Sequence, residues 1–285
     1  MLKTIIFRLE GVILNDEYLN YKYYEKLWYY LRRDLKWQKF DTVLKLRERL
    51  LSGGRVKNPF EIIADRHLDK RDRERYFQEI EIFTNKYLPF YLRIVPGMLK
   101  TVQNLKYYYT TILFASREKF LQRVLHKFWL QRYFNMVLPE EFKGAKFSIS
   151  EFFQNILSKA KSEGNEAVLI SDRLSTDIAA ANHIGMYTIQ ARFDPKTKGI
   201  MAQNILERKY FESLRNVPEL PQDPLQPKQI PQAVAHKPEH LLKRIQNLEA
   251  GNLPSEEEQK VSPAMKIDFW ELVKQILNPN FEENT

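Results

Sequence analysis

The sequence has no cysteine and no long apolar run. None of its 285 residues is a cysteine, which excludes disulfides, cysteine-ligated zinc and thiol catalysis and suits a reducing compartment. No segment approaches the roughly 18 apolar residues that span a bilayer, and the apolar start, residues 1–7, is too short for a signal-peptide core. We therefore expect a cytoplasmic protein without a membrane span.

Motifs for common cofactors are also missing. The chain has no P-loop, no glycine-rich dinucleotide loop and no zinc motif. Its five histidines are scattered: His67, His126, His183, His236 and His240. The last two have helical i,i+4 spacing, but Pro238 lies between them and breaks the helix that would bring them together. We expect no metal site at these histidines.

The charge is strongly positive and unevenly distributed. The net charge is +9; residues 93–150 hold ten basic and three acidic residues, whereas residues 217–285 hold seven basic and eleven acidic residues. A basic body of this kind attracts an acidic protein, nucleic acid or an anionic membrane surface, although a solvated basic surface explains it equally well. If the segment is a binding face, Arg123, Lys127 and Arg132 are the candidate contacts.

Short apolar runs alternate with helical patterns along much of the chain. The predicted strands are residues 3–7, 110–115, 135–138, 168–171 and 187–190. The helices predicted between them are residues 97–106, 118–129, 149–162 and 176–184. Alternation at these lengths predicts an α/β fold with a parallel sheet.

An all-helical segment interrupts this alternation after the first strand. Its helical patterns cover residues 17–37, 41–51, 59–66 and 70–90. We interpret residues 17–92 as an inserted helical cap, and residues 1–16 together with 93–216 as the α/β core.

The composition changes again at Val217. Six prolines lie between residues 218 and 238, a density that cannot hold a helix or a central strand. We interpret residues 217–238 as a proline-rich linker and residues 239–285 as a C-terminal tail with short helices at 239–249 and 266–277. The second of these carries Trp270 on its apolar face, which can dock on the protein itself or on a partner.

Two carboxylates follow the strand predicted at 168–171. Asp172 comes directly after it, and Asp177 lies five residues later at the start of a helix. Carboxylates at the C-terminal end of a strand can hold a hard cation through oxygen. Asp177 could equally be an ordinary helix N-terminal residue favoured by the helix dipole.

These features, in this order, resemble the haloacid dehalogenase (HAD) superfamily over residues 1 to about 192, and the resemblance implies a Rossmann-like α/β core with an inserted helical cap. The family's first motif is a strand followed by Asp-x-Asp-Gly, and here the matching residues are Arg8, Leu9, Glu10 and Gly11. The resemblance implies that Arg8 stands where the nucleophilic Asp should be and that Glu10 stands at the general acid/base. It also implies that Asp172 is the metal ligand and Asp177 its supporting carboxylate.

The resemblance assigns two further residues. Ser116 ends the strand 110–115 and matches the hydroxyl that bonds the phosphoryl group. Lys146 matches the lysine that stabilises the phosphate, although Phe147 replaces the usual proline and Lys143 is a nearby alternative.

The arginine changes the expected function. A guanidinium has no lone pair with which to attack phosphorus, and its charge repels magnesium. We expect Arg8 to pair with Asp172 and fill the site itself. The sequence then predicts a HAD-like pseudoenzyme without a cofactor, which binds a protein partner or a larger complex. A divergent phosphate-ester hydrolase that uses Glu10 and magnesium is the alternative, and a nucleic-acid-binding protein is the second alternative.

Overall fold

The computed structural model describes most of the chain up to Asn252. The described residues are 1–52, 59–115, 118–139, 148–193, 198–199, 201–214 and 229–252. The predictions made for Ser116, Lys146 and Trp270, for linker residues 217–228 and for a helix at 266–277 lie outside them.

Six parallel strands form the central sheet, in the order β5-β4-β1-β6-β7-β8. They are β1 (Thr4–Arg8), β4 (Thr110–Ala115), β5 (Met136–Pro139), β6 (Ala167–Ser171), β7 (Tyr187–Ala191) and β8 (Ala233–Ala235). Helices cover both faces of the sheet, so every residue of the central strands β1 and β6 is buried and their middle positions are apolar. The predicted Rossmann-like α/β fold is confirmed.

Helices pack on both faces of this sheet. Alternate residues of β1 enter two separate apolar clusters: Ile5 and Phe7 face one cluster and Ile6 faces the other. The helices of the first face are α5 (Met98–Lys106), α6 (Glu118–Phe128) and α10 (His240–Glu249), and those of the second are α7 (Ile149–Ala160) and α8 (Ala179–His183). A π-helical turn, Leu174–Ile178, leads into α8.

The segment between β1 and β4 contains four helices. They are α1 (Glu17–Leu31), α2 (Phe40–Ser52), α3 (Pro59–His67) and α4 (Lys70–Tyr91). A two-stranded antiparallel ribbon, β2 (Leu14–Asn15) with β3 (Arg93–Ile94), closes the base of this helical cap. Its interior is rich in buried aromatic rings, including Tyr21, Tyr24 and Tyr76, which explains the aromatic content of this part of the sequence.

Residues 205–213 pack against the cap, although the sequence places them in the core segment 93–216. They form a helix, α9 (Ile205–Ser213), that contacts α1 and α2. Tyr210 is fully buried, and its ring centroid lies 5.7 Å from those of Tyr21 and Tyr24. Burial of the Tyr210 side chain stabilises α9 in this position.

The interpretation of residues 217–238 as a linker is wrong for its last part. β8 forms the edge of the central sheet, and α10 buries Leu241, Ile245 and Leu248 in the main apolar cluster. Prolines are tolerated here because Pro231 and Pro238 lie outside the three paired residues of β8, which occupies an edge.

Among the residues that the structure describes, no helix is long and apolar enough to cross a bilayer.

Candidate functional site

The site lies at the C-terminal ends of β1 and β6. Arg8 is the last residue of β1, and its side chain has no exposed surface. Its guanidinium carbon lies 5.4 Å from the centroid of the Phe114 ring, on the neighbouring strand β4, in a cation–π contact. A permanent positive charge is therefore fixed inside the protein at the position that the family resemblance assigns to the nucleophile.

Arg8 forms a buried ion pair with Asp177. Its Nη1 donates a hydrogen bond of 2.6 Å to Asp177 Oδ2, which also accepts one of 2.8 Å from Ser171 Oγ. Thr176 Oγ1 donates to the other oxygen of Asp177 at 3.0 Å. Asp177, which the resemblance implies is the supporting carboxylate and which could equally be an ordinary helix-start residue, is thus the ion-pair partner of Arg8, and the predicted pairing of Arg8 with Asp172 is wrong.

Glu10 and Asp172 lie on the other side of Arg8. Glu10 Oε2 is 3.6 Å from Arg8 Nη2. Gly11 has a φ of +79°, and a Cβ added to it would lie 2.0 Å from Asp172 Oδ2, so only glycine fits beside this carboxylate. Asp172 Oδ1 is buried and has no hydrogen-bond partner among the described residues.

The pKa of Asp16 reflects repulsion between the acidic groups near the site. Burial, together with the charges of Glu17, Asp172 and Glu10, raises the pKa of Asp16 to about 7 against the opposing charge of Lys198. Sequence reasoning did not single out Asp16, because it belongs to no motif that we recognised.

The pKa of Arg8 responds to the same charges with the opposite sign. Burial acts to lower it, but the charges of Asp177, Glu10 and Asp172 outweigh burial and raise it. Arg8 is therefore held as a cation by the three carboxylates around it.

The residues present do not fit a magnesium ion as they are arranged. Asp172 Oδ1 is one oxygen that a cation could use, but Asp177 is engaged by Arg8, Ser171 and Thr176. Within the described ranges, no three histidine, aspartate or glutamate side chains are grouped so that they could hold a metal ion. The guanidinium of Arg8 supplies the positive charge that balances these carboxylates.

The structure brings together Arg8, Glu10, Asp172 and Asp177, as the family resemblance implied for these positions. The candidate interaction residues lie apart from this group on exposed surface: Arg123 and Lys127 on α6, and Arg132 in the 3₁₀ turn Leu130–Tyr133. Arg123 also donates a 2.7 Å hydrogen bond to the carbonyl of Asn85 on α4.

The parallel sheet and the inserted helical cap define a protein with an α/β fold of the HAD type. The family model of the haloacid dehalogenase-like hydrolases matches residues 5–191, which is more than half of the chain. The chain belongs to the haloacid dehalogenase-like hydrolase family.

Individual relatives agree with this placement. The chain is 32% identical over 135 residues to a glyceraldehyde 3-phosphate phosphatase of Pyrococcus furiosus; the match covers 46% of this chain and 53% of that protein, about half its length. The fold resembles a haloacid dehalogenase-like family hydrolase of Streptococcus pneumoniae, with a TM-score of 0.56, 15% identity and coverage of 86% of this chain and 98% of the other. A HAD phosphatase of Thermococcus onnurineus gives a TM-score of 0.52 at 19% identity, with coverage of 86% and 98%.

Proposed function

We propose that this chain is a non-catalytic member of its family that acts as a binding, scaffold or assembly protein. The observation that carries the proposal is the buried ion pair between Arg8 and Asp177, with 2.6 Å between Nη1 and Oδ2. It lies at the strand end where the family resemblance requires a nucleophilic carboxylate.

The chemistry of arginine opposes the family's reaction in two ways. A guanidinium has no lone pair available to attack phosphorus. It also repels a metal cation: at 4 Å and an effective dielectric near 20, two unit charges interact by about 4 kcal/mol, and a divalent ion roughly doubles the repulsion. Glu10 keeps a carboxylate, but it stands at the acid/base position and does not replace the nucleophile.

Binding functions remain open to such a protein because they depend on its surface and not on the Arg8 site. Support comes from the basic charge of residues 93–150 and from the exposed cations Arg123, Lys127 and Arg132. We propose a partner drawn to this basic surface, either a protein or larger complex or a nucleic acid, and the tail segment 266–277, which contains Trp270, is a second candidate contact.

A divergent phosphate-ester hydrolase is the second candidate, and the comparisons taken alone favour it. The family consists of hydrolases, and the Pyrococcus relative is named as a phosphatase of glyceraldehyde 3-phosphate. The charges of Glu10 and Asp172 act on Asp16, and Asp16 has a pKa of about 7, which suits proton transfer near neutral pH. Magnesium would be the cofactor of this candidate.

Hydrolysis of p-nitrophenyl phosphate with and without magnesium tests the two candidates. We expect no magnesium-dependent turnover from the wild type. Arg8→Asp removes the cation and adds a carboxylate beside Asp177 and Asp172. We therefore expect this variant to bind magnesium, measured by calorimetry, whether or not turnover returns. Arg8→Met is the matched control that removes the cation without adding a carboxylate. Magnesium-dependent activity of the wild type that Glu10→Gln abolishes would establish the hydrolase.

A further inference from the structure

The stretch from Arg93 to Pro139 is almost free of acidic residues. It contains eight lysines and arginines, and its one acidic residue is Glu118. This stretch therefore carries an excess of positive charge.

Large aromatic rings stand exposed on the same part of the surface. Tyr107, Tyr108 and Trp129 expose 78%, 77% and 71% of their area, and Phe90 of α4 exposes 65%. Trp129 has a φ of +52°, a left-handed conformation that a bulky residue adopts at an energetic cost. The backbone at Trp129 is thus strained, although its indole ring is largely exposed.

Contacts join these rings and cations into one surface. The Lys127 Nζ atom lies 5.1 Å from the centroid of the Phe90 ring, and both residues line a groove of about 600 Å³ together with Arg123. Burial, followed by the charge of Arg93, lowers the pKa of Lys127, in keeping with cations crowded together.

The surface continues beyond α6 to the end of α5. Trp129 follows α6 directly, and Arg132 lies three residues later in the 3₁₀ turn. Lys106 Nζ donates a 2.8 Å hydrogen bond to the carbonyl of Arg132, which brings the end of α5, and with it Tyr107 and Tyr108, to this turn. We call the whole region the basic–aromatic surface; its defining residues are Phe90, Arg123, Lys127, Trp129, Arg132 and Tyr108.

We infer that the basic–aromatic surface binds single-stranded nucleic acid. Cations along the surface match a phosphate backbone, and rings exposed between them offer faces on which unpaired bases stack. An acidic polypeptide would satisfy the cations but would leave the flat ring faces without a comparable planar partner. This inference deepens the binding role proposed above and rests on it.

Fluorescence anisotropy of the full chain with a labelled 20-nucleotide oligo(dT) tests the inference. The wild type should bind, and the logarithm of its affinity should fall with the logarithm of salt concentration with a slope of about −3 if about four phosphates are contacted. A 20-base-pair duplex should bind more weakly because its bases are already stacked.

Two kinds of variant distinguish the contribution of the rings to binding from that of the charges. Trp129→Gly removes the ring and keeps the left-handed backbone that glycine adopts readily, so the fold should survive; affinity should fall by on the order of tenfold with an unchanged salt slope. Lys127→Gln should instead make the slope shallower by about 0.7. Lys159→Gln is the matched control, because Lys159 is exposed on α7 at the opposite face of the sheet.

Three outcomes would overturn the inference: no oligonucleotide binding at low salt, equal binding by Trp129→Gly and the wild type, or displacement of the oligonucleotide by polyglutamate at matched charge. The last of these would point to an acidic protein partner and would leave the proposed binding function intact. Phosphatase activity of the wild type would overturn the proposed function without changing how the oligonucleotide titration is read.

Discussion

The ends of β1 and β6 face the same site but carry opposite charge. β6 ends in Ser171 and is followed by Asp172, which keeps the carboxylate expected after that strand, whereas β1 ends in the cation Arg8. In a metal-dependent site both ends would be acidic, and an external cation would hold them together. Here one strand end supplies the cation itself.

This difference gives the site a positive charge from the chain itself. Three carboxylates, Glu10, Asp172 and Asp177, would repel one another if they were buried without a positive charge. Arg8 offsets this repulsion, because its Nη1 atom lies 2.6 Å from Asp177 and its Nη2 atom lies 3.6 Å from Glu10. Arg8 at the end of β1 thus accounts for the charge balance of the site, and in the proposed non-catalytic function it also takes the place of the nucleophile.

Removal of the cation at the end of β1 should have the largest effect. Arg8→Met leaves Asp177 as a buried charge without its cation, and we expect the free energy of unfolding to fall by about 3–5 kcal/mol in urea titration. Lys3→Met, which breaks the surface pair with Glu166, should change stability little and serves as the control. If the two variants lost the same stability, the ion pair at Arg8 would have no structural importance.

A side chain placed in the space beside Asp172 should lower the free energy of unfolding somewhat less than the loss of Arg8 does. In Gly11→Ala the new Cβ would meet Asp172 Oδ2 at 2.0 Å and the backbone would keep a φ of +79°, so strain and clash together should reduce stability by about 2–4 kcal/mol. Gly251→Ala has a similar φ of +71° with open space around it, so it measures the backbone strain alone. Equal losses in the two variants would show that the loop moves away from Asp172.

The sequence predicted the sheet well and its edge poorly. Five strands and the helices between them follow from apolar runs and helical periodicity, because long, strongly patterned elements are the ones that local sequence specifies. β8 has only three residues, lies between prolines, and is held by tertiary contacts such as the 2.6 Å hydrogen bond from the Thr188 amide to Gln232 Oε1. No pattern within Ala233–Ala235 reveals those contacts.

The site shows the same limit at the scale of single side chains. Spacing placed Arg8 and Asp172 at neighbouring strand ends, but it could not tell which carboxylate the long arginine side chain would reach. That choice depends on the turn Leu174–Ile178, which presents Asp177 to Arg8 and to Ser171. The raised pKa of Asp16 likewise depends on groups distant in sequence, among them Asp172.

Removal of the second donor to Asp177 should have an intermediate effect. Ser171→Ala deletes a 2.8 Å hydrogen bond to a buried charged oxygen, and we expect a loss of about 1–3 kcal/mol in the free energy of unfolding. Ser213→Ala is the control: that serine is also buried, but it donates to the uncharged carbonyl of Tyr210. A smaller loss at Ser171 than at Ser213 would mean that Arg8 and Thr176 satisfy Asp177 without Ser171.

We also predict a pH dependence of the stability at Asp16. Its pKa in the folded protein is about 7, above the value of about 4 for an unfolded aspartate, so the native state binds more protons between these values. The free energy of unfolding should therefore decrease as pH rises from about 4 to about 7, and the contribution should be fully lost above that range. Asp16→Asn cannot ionise, so urea titrations across this range should show a flatter profile and higher stability than the wild type at pH 8. Parallel profiles for the two proteins would show that Asp16 is ionised throughout, and that Arg8 balances four carboxylates and not three.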